Sequence, residues 1–154
     1  SQVIVSVTGV RFTPRSRRSH TPMILGLGTD LAGIEFWREA IADPTTSVLD
    51  GTFTVQELEY ANAGPTPSAH RLAARFAAKE ACVKAFGSTR FGCPPLTTQI
   101  NLREIEVVND KWGRPSLVFH NDVQTLAQKL GVTRTLLSLS HDGAFASATV
   151  ILEG

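Results

Sequence analysis

The stretch RLAARFAAKEACVKAF, residues 71–86, decides the reading of the fold. Its apolar residues recur at helical spacing. With about 100° between successive residues, Leu72, Phe76, Val83 and Phe86 fall on one side. Arg71, Arg75 and Lys79 then make a basic ridge on one flank. Glu80 and Lys84 lie on the other, with Glu80 nearest the apolar stripe. A carboxylate in that position needs a partner, because an unpaired buried charge is costly.

Upstream, MILGLGTD reads as a short buried strand over 23–28 ending in a Gly-Thr-Asp turn. LAGIEFWREAI has helical spacing, with Leu31, Ile34, Trp37 and Ile41 on one face, and residues 43–51 read as a loop. Thr54 followed by Glu57 is a capping-box signature for a helix in FTVQELEYAN. Ser68 is the expected cap of the long helix that ends at Phe86. Downstream, GSTRFGCPPLTTQ is a loop and REIEVVND alternates as a strand. DKWGRP is the hairpin turn into SLVFH, and DVQTLAQKLG is a helix stopping at Gly131. TLLSLSHDGAFASATVILEG supplies two closing strands that part at HDGA. The order strand–helix–helix–helix–strand–strand–helix–strand–strand implies an α+β domain with an antiparallel sheet packed with helices.

The chain has 154 residues, enough for one domain with a real core. Its net charge of +1 excludes the strongly basic footprint of a generic nucleic-acid binder. No apolar run reaches the roughly 20 residues needed to span a membrane. The two cysteines, Cys82 and Cys93, read as reduced thiols of a cytoplasmic protein, and no zinc-type Cys/His spacing occurs. Residues 1–22 read as a partly mobile N-terminal extension, in which VIVSV is a candidate edge strand, and 23–154 as the working domain. Met23 is the sole methionine, and MILGLGTD has the character of a natural beginning.

Three polar features stand out. Asp30 follows an apolar strand and precedes a helix, so it is either a helix cap or a ligand for a hard cation, which prefers carboxylate oxygen. Glu80 either pairs with Lys84 at i,i+4 or joins a phosphate–metal site bracketed by the cations. In LSLSHDG, Ser138 and Ser140 point one way, and His141 and Asp142 sit at the strand end, where a histidine is either simply exposed or held rigidly for function. These neighbours are no hydrolase triad, and there is no GxSxG elbow. GLGTD is likewise an incomplete dinucleotide fingerprint.

Taken together, the blocks GLGTDLAGI (26–34), RFAAKEACVKAFG (75–87) and SLSHDGAFASATVI (138–151), with the turn WGRP (112–115), resemble the holo-acyl-carrier-protein synthase family. These are the small 4′-phosphopantetheinyl transferases, and the resemblance, closest to actinobacterial members, covers about residues 23–153. It implies the transferase fold with one half-cleft per chain, completed in a homotrimer with interfacial sites. It implies Mg²⁺-dependent transfer of the phosphopantetheine arm of coenzyme A to a serine of apo-acyl carrier protein, or of a synthase carrier domain. It further implies that Asp30 and Glu80 bind Mg²⁺ and take part in catalysis with Lys84, which touches the phosphates. Arg75, Lys79 and His141 would hold the nucleotide end of coenzyme A. Phe36 stands where many members carry an arginine that docks the acidic carrier protein, and the loop after Lys84 is longer than usual. Two other readings use the same residues: a non-catalytic coenzyme A or nucleotide binding module, and a metal-dependent phosphohydrolase acting on pyrophosphates.

Overall fold

The structure is a computed structural model that describes residues 2–8 and 21–154, the former as backbone. Two elements build its centre. Strand β2 (Ile24–Gly33) and helix α4 (Ser68–Ser88) pack directly on each other. They approach so closely because β2 carries Gly26 and Gly28 on the side facing the helix. A Cβ at Gly28 would sit 1.9 Å from the Ala81 carbonyl oxygen, and one at Gly26 would sit 2.3 Å from that of Ala85. The helix answers with small residues: Ala73, Ala77, Ala81 and Ala85, one turn apart, are completely buried. The core side of α4 is therefore an alanine strip, and the expected stripe is partly displaced from it: Leu72 and Phe86 are buried, but Phe76 and Val83 only half so.

Before β2 the chain forms β1 (Gln2–Thr8). After β2 come α1 (Ile34–Ala42), α2 (Val48–Thr52) and α3 (Val55–Asn62), then α4. Beyond it follow a 3₁₀ turn (Leu102–Glu104), the hairpin β3 (Ile105–Asn109) and β4 (Pro115–Phe119), α5 (Asn121–Lys129), and the final hairpin β5 (Arg134–Asp142) and β6 (Phe145–Glu153). The main sheet has the order β1-β5-β6-β2, β3 and β4 form a second two-stranded sheet, and every pairing is antiparallel. The α+β reading holds, and VIVSV lies within β1, paired along β5 from Gln2 opposite His141 to Thr8 opposite Thr135. The expected mobility of the remainder of the extension concerns residues 9–20, which lie outside the described residues.

Three local expectations are corrected. β2 continues through Thr29 and Asp30 to Gly33, so Leu31 is an exposed strand residue and α1 begins at Ile34, burying Ile34, Trp37 and Ala40. The stretch read as a loop over 43–51 contains the start of α2. The N-cap of α4 is Pro67, and Ser68 is its first helical residue, its hydroxyl donating to Asn62 Oδ1 at 3.2 Å. The capping box at Thr54 and Glu57 forms as read, with both reciprocal hydrogen bonds present. Trp37 anchors the helical layer, edge-on to Phe53 at 5.0 Å and tilted against Phe76 at 5.1 Å.

Candidate active site

Side chains alternate across a strand, so Asp30 lies on the same face of β2 as Gly26 and Gly28, toward α4. The glycines set the distance, and the carboxylate two residues further on meets the helix at the turn carrying Glu80 and Lys84. Lys84 donates to Asp30 Oδ1 at 2.9 Å and to the Thr29 carbonyl at 3.1 Å. The capping alternative for Asp30 is thereby removed: α1 starts after Gly33, with no side-chain cap, and Asp30 turns to the lysine instead. Lys84 makes its ion pair across the strand–helix seam, with Asp30, and acts on Glu80 through charge alone. Glu80 is half-buried, and burial raises its carboxyl above the ordinary value, with the negative charge of Asp30 adding to the rise and Lys84 opposing it. A carboxyl made reluctant to ionise by a like neighbour is a frequent mark of a functional site.

The other expected residues divide. Arg75 is 3% exposed; its Nη2 donates to Asn109 Oδ1 at 2.6 Å and its guanidinium stacks 4.1 Å above the Tyr60 ring. His141 lies on the helix-facing side of β5, its ring edge-on to His70 at 5.6 Å. Both Arg75 and His141 line a cavity of about 340 Å³ with Tyr60, His70, Arg71 and Trp112. Lys79 does not join them. It is fully buried, and its three ammonium protons go to Glu57 Oε1 at 2.7 Å, the Leu102 carbonyl at 2.8 Å and the Ile105 carbonyl at 2.6 Å. The placing of Lys79 at the nucleotide end, and in one basic ridge with Arg71 and Arg75, is corrected on this geometry. A lysine with three protein acceptors and no exposed surface has nothing to offer a ligand. Ser138 stays out, on the face of β5 turned away from the helix, whereas Ser140 lines the same cavity as His141.

His70 is the residue that sequence reasoning missed. It lies a little over one turn before Arg75 on α4 and reaches the cavity only because β5 brings His141 to it. Arg38, on α1 near the position expected to contact a carrier, pairs with Glu35 on the surface. Cys82 is buried and Cys93 exposed, and both are free thiols, as expected. Among the described residues no helix is long and apolar enough to cross a membrane, and no group of three or more metal-ligating His, Cys, Asp or Glu is present.

The sequence matches the family model for the 4′-phosphopantetheinyl transferase superfamily over residues 26–148. This chain belongs to that family. It is 43% identical over 130 residues to the holo-[acyl-carrier-protein] synthase of Nocardia farcinica, covering 84% of this chain and 88% of that one. It is 40% identical over 131 residues to the enzyme of the same name from Geobacter sulfurreducens, covering 85% and 98%. A solved ACPS–CoA complex from Chronobacterium ammoniagenes superposes with a TM-score of 0.72 at 32% identity, covering 86% of this chain and 97% of that one. The acyl carrier protein synthase of Mycobacterium tuberculosis superposes with a TM-score of 0.65 at 36% identity, covering 86% and 99%. The family blocks read from the sequence thus supply the strand–helix seam and the end of β5.

Proposed function

We propose that this chain transfers the 4′-phosphopantetheine arm of coenzyme A to a serine hydroxyl of an apo-acyl carrier protein or synthase carrier domain. The products are holo-carrier protein and adenosine 3′,5′-bisphosphate. The observation that carries the proposal is the convergence of Asp30, Glu80 and Lys84 at the seam of β2 and α4, in a chain whose relatives are named holo-acyl-carrier-protein synthases.

The serine oxygen forms its bond at the β-phosphorus of the pyrophosphate, the bond from that phosphorus to the bridging oxygen breaks, and the electron pair leaves on the nucleotide phosphate. The serine proton is released. The nucleophile belongs to the carrier, so this chain needs none of its own. Two carboxylates, one with its proton affinity raised by burial and further by the other, are a donor set of hard oxygens that suits Mg²⁺, which often takes one or two protein carboxylates and completes its shell with water and phosphate oxygens. Asp30 and Glu80 would hold it, and when bound it supplies positive charge against the pyrophosphate. Lys84, about half exposed on a flexible stem, supplies a second positive charge where negative charge builds on the departing oxygen. Arg75 and His141 receive the nucleotide end in the cavity beside them.

The working domain we propose is residues 23–154, with β1 added along β5 of its sheet, and its proposed compartment is the cytoplasm. On the side of the main sheet away from α4, Leu27, Leu31 and Phe145 are 56%, 63% and 51% exposed. This apolar face supports a homotrimer in which each half-cleft is completed by a neighbour.

The test is intact-mass spectrometry of apo-acyl carrier protein incubated with the chain, coenzyme A and Mg²⁺. A gain of one phosphopantetheine arm, lost on adding EDTA, is the expected result. Tight coenzyme A binding with no gain on either a free carrier protein or a synthase carrier domain sinks the transferase in favour of a binding module.

A further inference from the structure

Among the described residues, three buried side-chain polar atoms have no hydrogen-bond partner: His70 Nδ1, Arg75 Nε and Arg134 Nε. The residues carrying two of the three line the same cavity. Buried polar atoms are nearly always paired, and each exception calls for a reason. Arg75 is almost wholly buried; its Nη2 donates to Asn109, and its Nε has no partner. The other arginine of the cavity, Arg71, is already used: it donates to the carbonyls of Tyr60 and Ala63 and stacks on the Tyr60 ring. The unmet groups are therefore an imidazole and a guanidinium, both suited to an anion.

Position along α4 says which anion. His70 and Glu80 are ten residues apart, so at 1.5 Å per residue their levels on the helix axis differ by about 15 Å. One pyrophosphate seated at Glu80 and Lys84 does not reach that far, and the cavity at His70 must meet another part of the substrate. Coenzyme A carries one more phosphate, the monoester on the ribose of its nucleotide end. We propose that His70 is a specificity-determining residue, seating this phosphomonoester together with Arg75 and His141. The proposal rests on the transferase reading, and it adds a residue on which that reading places no role.

The surroundings fit a group that is neutral when the cavity is empty. Burial lowers the His70 imidazole from its ordinary value, with the charges of His141 and Arg38 adding to the effect. The groups facing it are His141 from β5, Arg38 from α1 and, on α4 itself, Arg71 and Arg75. The charges acting on the imidazole itself are basic, although Arg38 is paired with Glu35 and Arg75 feels Glu57, so an incoming phosphate supplies the anion that the imidazole lacks and favours its protonated, doubly donating form.

The test measures calorimetric binding of adenosine 3′,5′-bisphosphate and of adenosine 5′-monophosphate to the full chain, to His70→Gln and to His70→Phe. No carrier protein is needed. The unaltered chain should prefer the bisphosphate, and each variant should lose on the order of tenfold of bisphosphate affinity, the worth of a charge-assisted hydrogen bond. Monophosphate affinity and melting temperature should stay unchanged. In transfer assays the KM for coenzyme A should rise relative to that for dephospho-coenzyme A, with kcat held. If both variants keep the full preference while the chain still transfers from coenzyme A, the role of His70 is overturned and the transferase stands. If the unaltered chain binds neither nucleotide nor coenzyme A, both fall.

Discussion

Two lysines five residues apart on α4 each face one carboxylate, yet they do opposite things. Lys79 and Glu57 are 2.7 Å apart, and both side chains are completely buried. Lys84 and Asp30 are 2.9 Å apart, with the lysine side chain 55% exposed and the aspartate 15%. The buried pair is saturated. Glu57 also accepts from the Val107 amide at 3.1 Å and the Thr54 amide at 3.0 Å, so the carboxylate ties α3, α4 and β3 together. Glu106 lies beside this knot; burial alone would raise its carboxyl, but hydrogen bonds from Thr54 and His120 outweigh that and hold it below the ordinary value. The exposed pair has room for exchange, and a neighbouring carboxyl is held above its ordinary value. The saturated pair holds the site's walls together, and the unsaturated one leaves its lysine accessible for the phosphate role proposed above.

The largest effect should come from breaking the buried pair. Glu57→Ala or Lys79→Ala leaves an uncompensated buried charge, which costs about 3–5 kcal/mol, and chemical denaturation should read a loss of that size. A loss below about 1 kcal/mol would mean that the pair is not the strut described. Next comes the seam itself. Gly28→Ala places a methyl 1.9 Å from a backbone oxygen of α4, so strand and helix must part. Stability should fall by about 1–3 kcal/mol, as overpacking does, and transfer activity should fall further, because Asp30 moves with the strand. A variant with normal activity would show that the close approach does not set the site.

Breaking the exposed pair should barely move stability. Lys84→Ala is expected to change it by less than about 1 kcal/mol while raising the KM for coenzyme A; unchanged coenzyme A kinetics would remove Lys84 from the phosphate site. The smallest effect is a pH dependence. The folded-state carboxyl of Glu80 lies above its unfolded value, so the native state holds more protons than the unfolded one across that window. The stability contributed by the protonated carboxyl is present below the unfolded value and lost as pH rises through the folded one. Differential scanning of the metal-free chain should show this slope, and Glu80→Gln should flatten it. The same slope in the variant would assign the titration to another group.

The family blocks were legible because their residues are contiguous in the chain: GLGTD, KEA and the strand end before His141 each fall within a few positions. What escaped was decided by distant partners. Gly28, with Thr29 and Asp30, read as a turn because glycine and aspartate favour turns, whereas here Gly26 and Gly28 permit contact with a helix more than 50 residues away. A helical projection orders α4 around one stripe, but the helix is covered by the sheet on one side and by α3 and β3 on another. Lys79 points into that second layer, which no spacing within residues 71–86 reveals. His70 gains its significance only from His141, on a different element.

The central claim is that Asp30, Glu80 and Lys84 are the working cluster and that Lys79 with Glu57 is its support. Its most direct test is Glu80→Gln, read by intact mass of the carrier protein and by thermal unfolding in parallel. The account predicts transfer reduced by at least about a hundredfold, the order expected when a group that stabilises the transition state is lost, with a melting temperature equal to or above that of the unaltered chain. Transfer at a near-normal rate, or activity lost only through unfolding, would contradict it.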